Sequence, residues 1–344
     1  MRLLFLLLLL TSPLAAQSGR VKDAPSPSPT PKRSVYIPTT DRPRVTPSPT
    51  PKKEDDDVIR IESTLVPIPA SVLDAAGRAV TNLKLADFEL RIDGKQVEIA
   101  ELSRSETPIR LAMLFDNSSS VIVAREFEKK AAVKFFKQVI RPEKDLAGLF
   151  SVSTLTRLEQ GLTRDVSALV NAIEMFPVPE GATALLDGIA QAANYLSEVQ
   201  GGRRVIVIVS DGDDTVSDLT LDQMLKAVQI ANCQIYVVKT TDFENYIRTK
   251  SRRGNANIRQ LAAERRMMEI ARQTGGSVYS PIDETELDRA FRQISAELSQ
   301  QYILSYYPDD EPEKRGEFRE ISLTVAKKEN LTVRTRKGYY VPKR

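Results

Sequence analysis

The sequence predicts an α/β fold: a doubly wound, mostly parallel sheet, with a small flanking β-sandwich made by the N- and C-terminal segments. Three observations lead there. Between residues 107 and 300, short apolar runs alternate with amphipathic helical stretches, as in a sheet covered on both faces by crossover helices. The flanking segments, 58–106 and 301–344, instead show period-two alternation and turn signals. With 344 residues, 41% hydrophobic and 28% charged, the chain has the size and balance of one large globular domain or two modest ones.

Residues 1–16 read as a signal peptide: Arg2, an unbroken apolar run from Leu3 to Leu10, and small residues at Ala15 and Ala16. The run is much shorter than the roughly 20 residues a membrane-spanning helix needs. The expectation is therefore export, to the periplasm, the cell surface or the medium. Residues 17–57 hold nine of the twenty prolines and repeat Pro-Ser-Pro-Thr-Pro-Lys at Pro27 and Pro47. That composition predicts a disordered, semi-rigid linker. Its eight basic residues between Arg20 and Lys53, against two acidic ones, suit a solvated spacer and allow weak contact with an anionic envelope surface.

The first β-rich segment, 58–106, runs through Ile59, Ile61, Leu65 and Val66 to a turn at Asp74–Gly77. It continues with the alternating stretch Asp87–Ile92 and the hairpin pair Asp93-Gly94. Within 107–300 the predicted strands are Leu111–Phe115, Leu146–Val152, Arg204–Val209 and Ile235–Val238, with a short one at Val278. The predicted helices carry Phe127, Ala131, Phe135 and Val139, then Val166–Phe176, Leu185–Val199, Leu221–Ala231, the stretch around Met268, and Glu284–Leu298. The last segment, 301–344, offers strands at Tyr302–Tyr307, Phe318–Val325 and Leu331–Arg336, expected to pair with 58–106.

What is missing narrows the chemistry. There is no histidine, which excludes histidine-based triads and makes a catalytic zinc site a poor fit. The single cysteine, Cys233, has no internal disulfide partner and suits a core position. A net charge of +3 gives no case for nucleic acid.

Three loops concentrate hydroxyls and carboxylates. They are Asp116-Asn117-Ser118-Ser119-Ser120, after the first strand; Gly181-Ala182-Thr183, before a helix; and Ser210-Asp211-Gly212-Asp213-Asp214, after the buried strand Arg204–Val209. In a doubly wound sheet the first and third leave the same edge. Oxygen donors of this kind suit a hard cation. Each loop alone has a plainer reading: Asp116 to Ser120 as a helix N-cap, Thr183 as a cap, Ser210-Asp211-Gly212 as a turn, and Asp213 and Asp214 as solvated loop residues.

Taken together, these loops resemble the von Willebrand factor type A family. Asp116, Ser118 and Ser120 fit its Asp-x-Ser-x-Ser element, Thr183 its separate threonine, and Asp211 its later aspartate. The resemblance implies a metal-ion-dependent adhesion site holding Mg²⁺ (or Mn²⁺ or Ca²⁺). Ser118, Ser120 and Thr183 would ligate directly, and Asp116 and Asp211 often through water. It further implies a protein ligand whose exposed Asp or Glu completes the metal shell. From 58 onward the chain is similar to a related domain of acidobacterial secreted proteins, through Asp87-Phe88, Gln301–Tyr307 and Arg336–Tyr340. Two other functions stay open: a structural scaffold in an envelope or secretion assembly, and a Mg²⁺-dependent phosphoryl-transfer enzyme. The second lacks a histidine base and a phosphate-cradling glycine loop.

Overall fold

The computed structural model describes residues 65–104, 107–251, 257–308, 314–326 and 330–342. The expected signal peptide, the linker, Ile59 and Ile61 therefore lie outside the described residues.

The strands are β1 (Val66–Leu73), β2 (Phe88–Ile92), β3 (Lys95–Val97), β4 (Glu101–Arg104), β5 (Ile109–Asp116), β6 (Leu146–Val152), β7 (Thr156–Thr163), β8 (Arg203–Ser210), β9 (Cys233–Lys239), β10 (Val278–Tyr279), β11 (Tyr302–Tyr306), β12 (Phe318–Val325), β13 (Thr332–Thr335) and β14 (Gly338–Tyr340). The helices are α1 (Arg125–Val139), α2 (Val166–Glu174), α3 (Leu185–Ser197), α4 (Leu221–Ile230), α5 (Thr241–Thr249), α6 (Ile258–Thr274) and α7 (Glu284–Gln300).

Six strands form the central sheet in the order β10-β9-β8-β5-β6-β7, parallel except for the edge strand β7. Its central strands are apolar on both faces, and each face has its own layer. Leu111, Met113 and Phe115 of β5, with Val205, Val207 and Val209 of β8, pack with Phe127 and Phe135 of α1 and Phe291 of α7. The alternate residues Ala112, Leu114, Ile206 and Ile208 pack with Leu186 and Ile189 of α3, Met224 of α4 and Met267 of α6. Period two thus feeds two cores, the arrangement that buries a parallel sheet.

The edge strand β7 and helix α5 do not stand out in the sequence. β7 is half-exposed, with register shifts against β6, so it shows no clean alternation. The polar α5 buries Thr241 and Asn245, and is pinned by Phe243 stacking on Phe127 at 4.0 Å.

The flanking strands form two antiparallel sheets, β13-β1-β11-β4 and β14-β12-β2-β3, so each sheet mixes strands from both ends of the chain. Their common core includes Ile68, Leu90, Ile92, Tyr302, Leu304 and Ile321. The β2–β3 turn is the expected Asp93-Gly94 pair, with φ of 50° and 77°. Two prolines are tolerated in β1 because β13 pairs only with Ala70–Leu73. Pro67 and Pro69 face the unpaired flank, and their carbonyls accept from Arg336 and the Thr335 hydroxyl.

Gln301 joins the two parts. It is fully buried, and its Nε2 donates to Ser71 Oγ of β1 at 3.0 Å and to Gln234 Oε1 of β9 at 3.1 Å, while its Oε1 accepts from Arg203 of β8. Gln301→Ala would leave several buried groups unpaired. The expected loss is about 1–3 kcal/mol in unfolding free energy, read from urea denaturation; an unchanged midpoint would show that the linkage contributes nothing.

Candidate metal centre

The site lies at the carboxyl edge of β5 and β8. These strands pair in parallel register, Phe115 opposite Val209, so the residues that follow them leave the sheet side by side. The neighbours are joined directly: the Ser210 hydroxyl donates to Asp116 Oδ2 at 2.6 Å. The other oxygen, Asp116 Oδ1, accepts from the Ser118 amide at 3.0 Å. Asp116 therefore sits 1% exposed with both oxygens engaged, and it folds the following loop into an Asx turn.

That turn brings Ser118 Oγ within 2.9 Å of Ser120 Oγ. Ser118 is buried and Ser120 exposed, so the pair runs from the interior to the surface. The Ser120 hydroxyl also favours the ionised form of the Asp211 carboxylate. The Asp211 backbone is held by the Thr241 hydroxyl donating to its carbonyl at 2.9 Å.

The loop before α3 is tied to both others. Ser119 N donates to Gly181 O at 3.1 Å, and Glu180 N to Asn117 O at 3.0 Å. Thr183 N donates to Thr215 Oγ1 at 2.9 Å, and Thr215 N returns a bond to Thr183 O at 2.8 Å. Gly181 has φ of 79°, and a Cβ there would stand 2.6 Å from the Thr154 hydroxyl, so only glycine fits this approach to the β6–β7 turn. Asp116, Ser118, Ser120, Thr183 and Asp211 thus all lie on three loops bonded to one another.

The capping readings of these loops do not describe the structure. In the turn of 3₁₀ helix at Ser119–Val121, in α1 and in α3, whose N-cap is Ala184, the N-cap residue makes no side-chain capping bond of its own. The cap of α3 comes from Asp214, which was expected to be a solvated loop residue. Its Oδ1 accepts from Leu185 N at 2.8 Å and Leu186 N at 3.2 Å. Asp213 is likewise engaged, accepting from Arg259 at 2.5 Å. Because these partners are distant in sequence, spacing alone gave no sign of them.

The sequence also gave no sign of the charges gathered behind the site. Glu128 of α1 is fully buried; its Oε1 accepts from the Thr240 hydroxyl at 2.7 Å, and its Oε2 is buried without a partner. Burial, and then the field of Asp116, push the Glu128 carboxyl well above the usual range. Burial and Asp211 push Asp116 up to about 7, and Glu244 of α5 is raised to about 7 by burial and the same two aspartates. Burial also raises Asp211.

Among the described residues no three His, Cys, Asp or Glu side chains form a metal-binding group. A cation would depend on the hydroxyls. The donor set fits a hard divalent ion: two neutral serines already in contact, a buried threonine nearby, and two carboxylates that repel one another. A cation would relieve that repulsion.

The metal-free protein should lose stability as pH rises. In the folded state these acids hold protons that the unfolded chain releases near pH 4, so the loss accrues from about pH 4 through 7. The slope is about 1.4 kcal/mol per pH unit for each proton retained. Urea denaturation in chelator between pH 5 and 7.5 measures it, and Glu128→Gln should make the slope shallower. A flat or rising profile in the unsubstituted protein would contradict the assignment.

Residues 111–213 match the profile of the von Willebrand factor type A domain. A curated relative, an uncharacterized protein of Borreliella burgdorferi, is 25% identical over 183 residues, covering 50% of this chain and 54% of that protein. The chain thus spans about half the length of that relative. Similar solved structures include the conserved hypothetical protein BatB of Bacteroides thetaiotaomicron, at 16% identity and a TM-score of 0.44, covering 55% of this chain and 98% of that one. Another is the PilB minor pilin of Streptococcus sanguinis, at 12% identity and a TM-score of 0.42, covering 57% and 62%.

Proposed function

We propose that this chain, which carries a von Willebrand factor type A domain, binds a protein partner through a divalent cation held by Ser118, Ser120 and Thr183, with Asp116 and Asp211 behind them. The observation that carries the reading is the convergence of those five residues on three mutually bonded loops at one sheet edge. Serine and threonine ligands are neutral, so the ion would keep positive charge on its outward side. A carboxylate from outside would neutralise it and complete the oxygen shell.

The surroundings suit a protein rather than a small substrate. Ile122, Val123, Leu155, Met175, Val178 and Val216 are all exposed. They sit on the loops just described: Ile122 and Val123 follow Ser120, and Leu155 follows Thr154. Met175 and Val178 precede Gly181, and the Val216 amide donates to Thr183 O at 3.2 Å. Several large apolar side chains around a charged centre give a partner an area to bury as well as a charge to meet. Mg²⁺ is the favoured ion. The proposal places this contact outside the cytoplasm, from the reading of residues 1–16.

Isothermal titration of the full chain with Mg²⁺, Mn²⁺ and Ca²⁺, each with and without acetate, tests the site. Saturable binding is expected, tightened by acetate and weakened at least tenfold in Asp116→Ala. Undiminished binding in Asp116→Ala, or none even with acetate, would overturn the reading and leave a metal-free scaffold.

A further inference from the structure

A second site lies at the opposite pole of the sheet. A half-open cavity of about 400 Å³ lies between the amino-terminal edge of the central sheet and the flanking strands. Arg203 and Arg204 of β8 and Cys233 of β9 form one wall, and Pro67 of β1, Ile303 of β11 and Tyr340 of β14 the other. Its size is that of a small-molecule pocket. Among the described lining residues there are three arginines and no carboxylate.

The arginines are not equivalent. Arg204 is the most fully engaged, its guanidinium donating to the carbonyls of Leu196, Ser197, Val199 and Ala231 and closing the carboxyl ends of α3 and α4. Arg203 gives its terminal nitrogens to Gln301 Oε1 and Leu298 O, and its Nε is buried without a partner. Arg336 gives its terminal nitrogens to Asn232 Oδ1 and Pro67 O and lies over the Tyr339 ring, 5.4 Å from its centre; its Nε too is buried without a partner.

Neither Arg203 nor Arg336 has a carboxylate partner among the described residues. Burial draws both guanidinium groups down to about 10, so both stay charged at neutral pH. A half-buried charge met only by neutral carbonyls is costly unless something else answers it.

We propose that this cavity binds a small monocarboxylate with an apolar or aromatic body, the carboxylate taken by Arg336 and the body packed against Pro67, Ile303 and Tyr340. The apolar wall of Pro67, Ile303 and Tyr340 favours an acid with an apolar body over inorganic phosphate. The site is independent of the cation centre, since none of its lining residues belongs to those three loops.

The test is titration of the full chain with 3-phenylpropionate and with 3-phenylpropanol as neutral isostere. A chelator is included so that no metal-held carboxylate contributes. The acid should bind at least tenfold more tightly than the alcohol, and Arg336→Met should remove that preference. As a check that needs no variant, diffraction from crystals soaked with 3-(4-bromophenyl)propionate should place the bromine inside the cavity. Equal binding of acid and alcohol, a folded Arg336→Met protein that keeps the preference, or bromine found elsewhere would overturn the proposal.

Discussion

The candidate centre depends on the hydrogen bond between the Ser210 hydroxyl and Asp116, at the ends of two parallel strands. It exists because β5 and β8 are neighbours in register, so the two chain segments leave the sheet at the same height. With one carboxylate oxygen held by Ser210, the other is free to fold the Asp116–Ser120 loop and align its serines. The cores on both faces of the sheet fix the register, and the register places the loops. The chemistry follows from that placement.

A buried carboxylate pair is an awkward thing for a fold to contain. The structure surrounds Asp116 with Asp211, Glu128 and Glu244, each raising another's proton affinity. The nearby cations are used elsewhere: Lys239 pairs with Asp242 and Glu264, and Arg259 with Asp213. Stability is given up locally, and a divalent ion would restore it on binding. The same logic, with the sign reversed, applies at the other pole, where Arg203 and Arg336 have no carboxylate partner among the described residues.

Much of this was legible in the sequence, for reasons that particular residues show. Strands such as Leu146–Val152 are apolar on both faces, and the chain alternates them with helices, so the sheet could be read directly. The Asp93-Gly94 turn announced its hairpin. Asp116, Ser118, Ser120, Thr183 and Asp211 could be singled out because their spacing matches a known pattern. Contacts made across sequence distance stayed hidden. Asp214 caps a helix that starts 29 residues earlier, and Glu128 looks like any charged helical residue until Thr240 is placed beside it. β7 was hidden because it is half-exposed with a shifting register, and the arginine-lined cavity because its walls come from the middle and from both ends of the chain.

The central claim is that a divalent cation binds at the carboxyl edge of β5 and β8. Paramagnetic broadening by Mn²⁺ in amide NMR spectra of the full chain tests it most directly. At substoichiometric Mn²⁺, the amides of Ser118, Ser120, Thr183 and Asp211 should broaden first, and excess Mg²⁺ should restore them. Broadening that instead begins elsewhere, such as at Asp74 or Glu269, or that leaves those four amides sharp at saturation, would contradict the account.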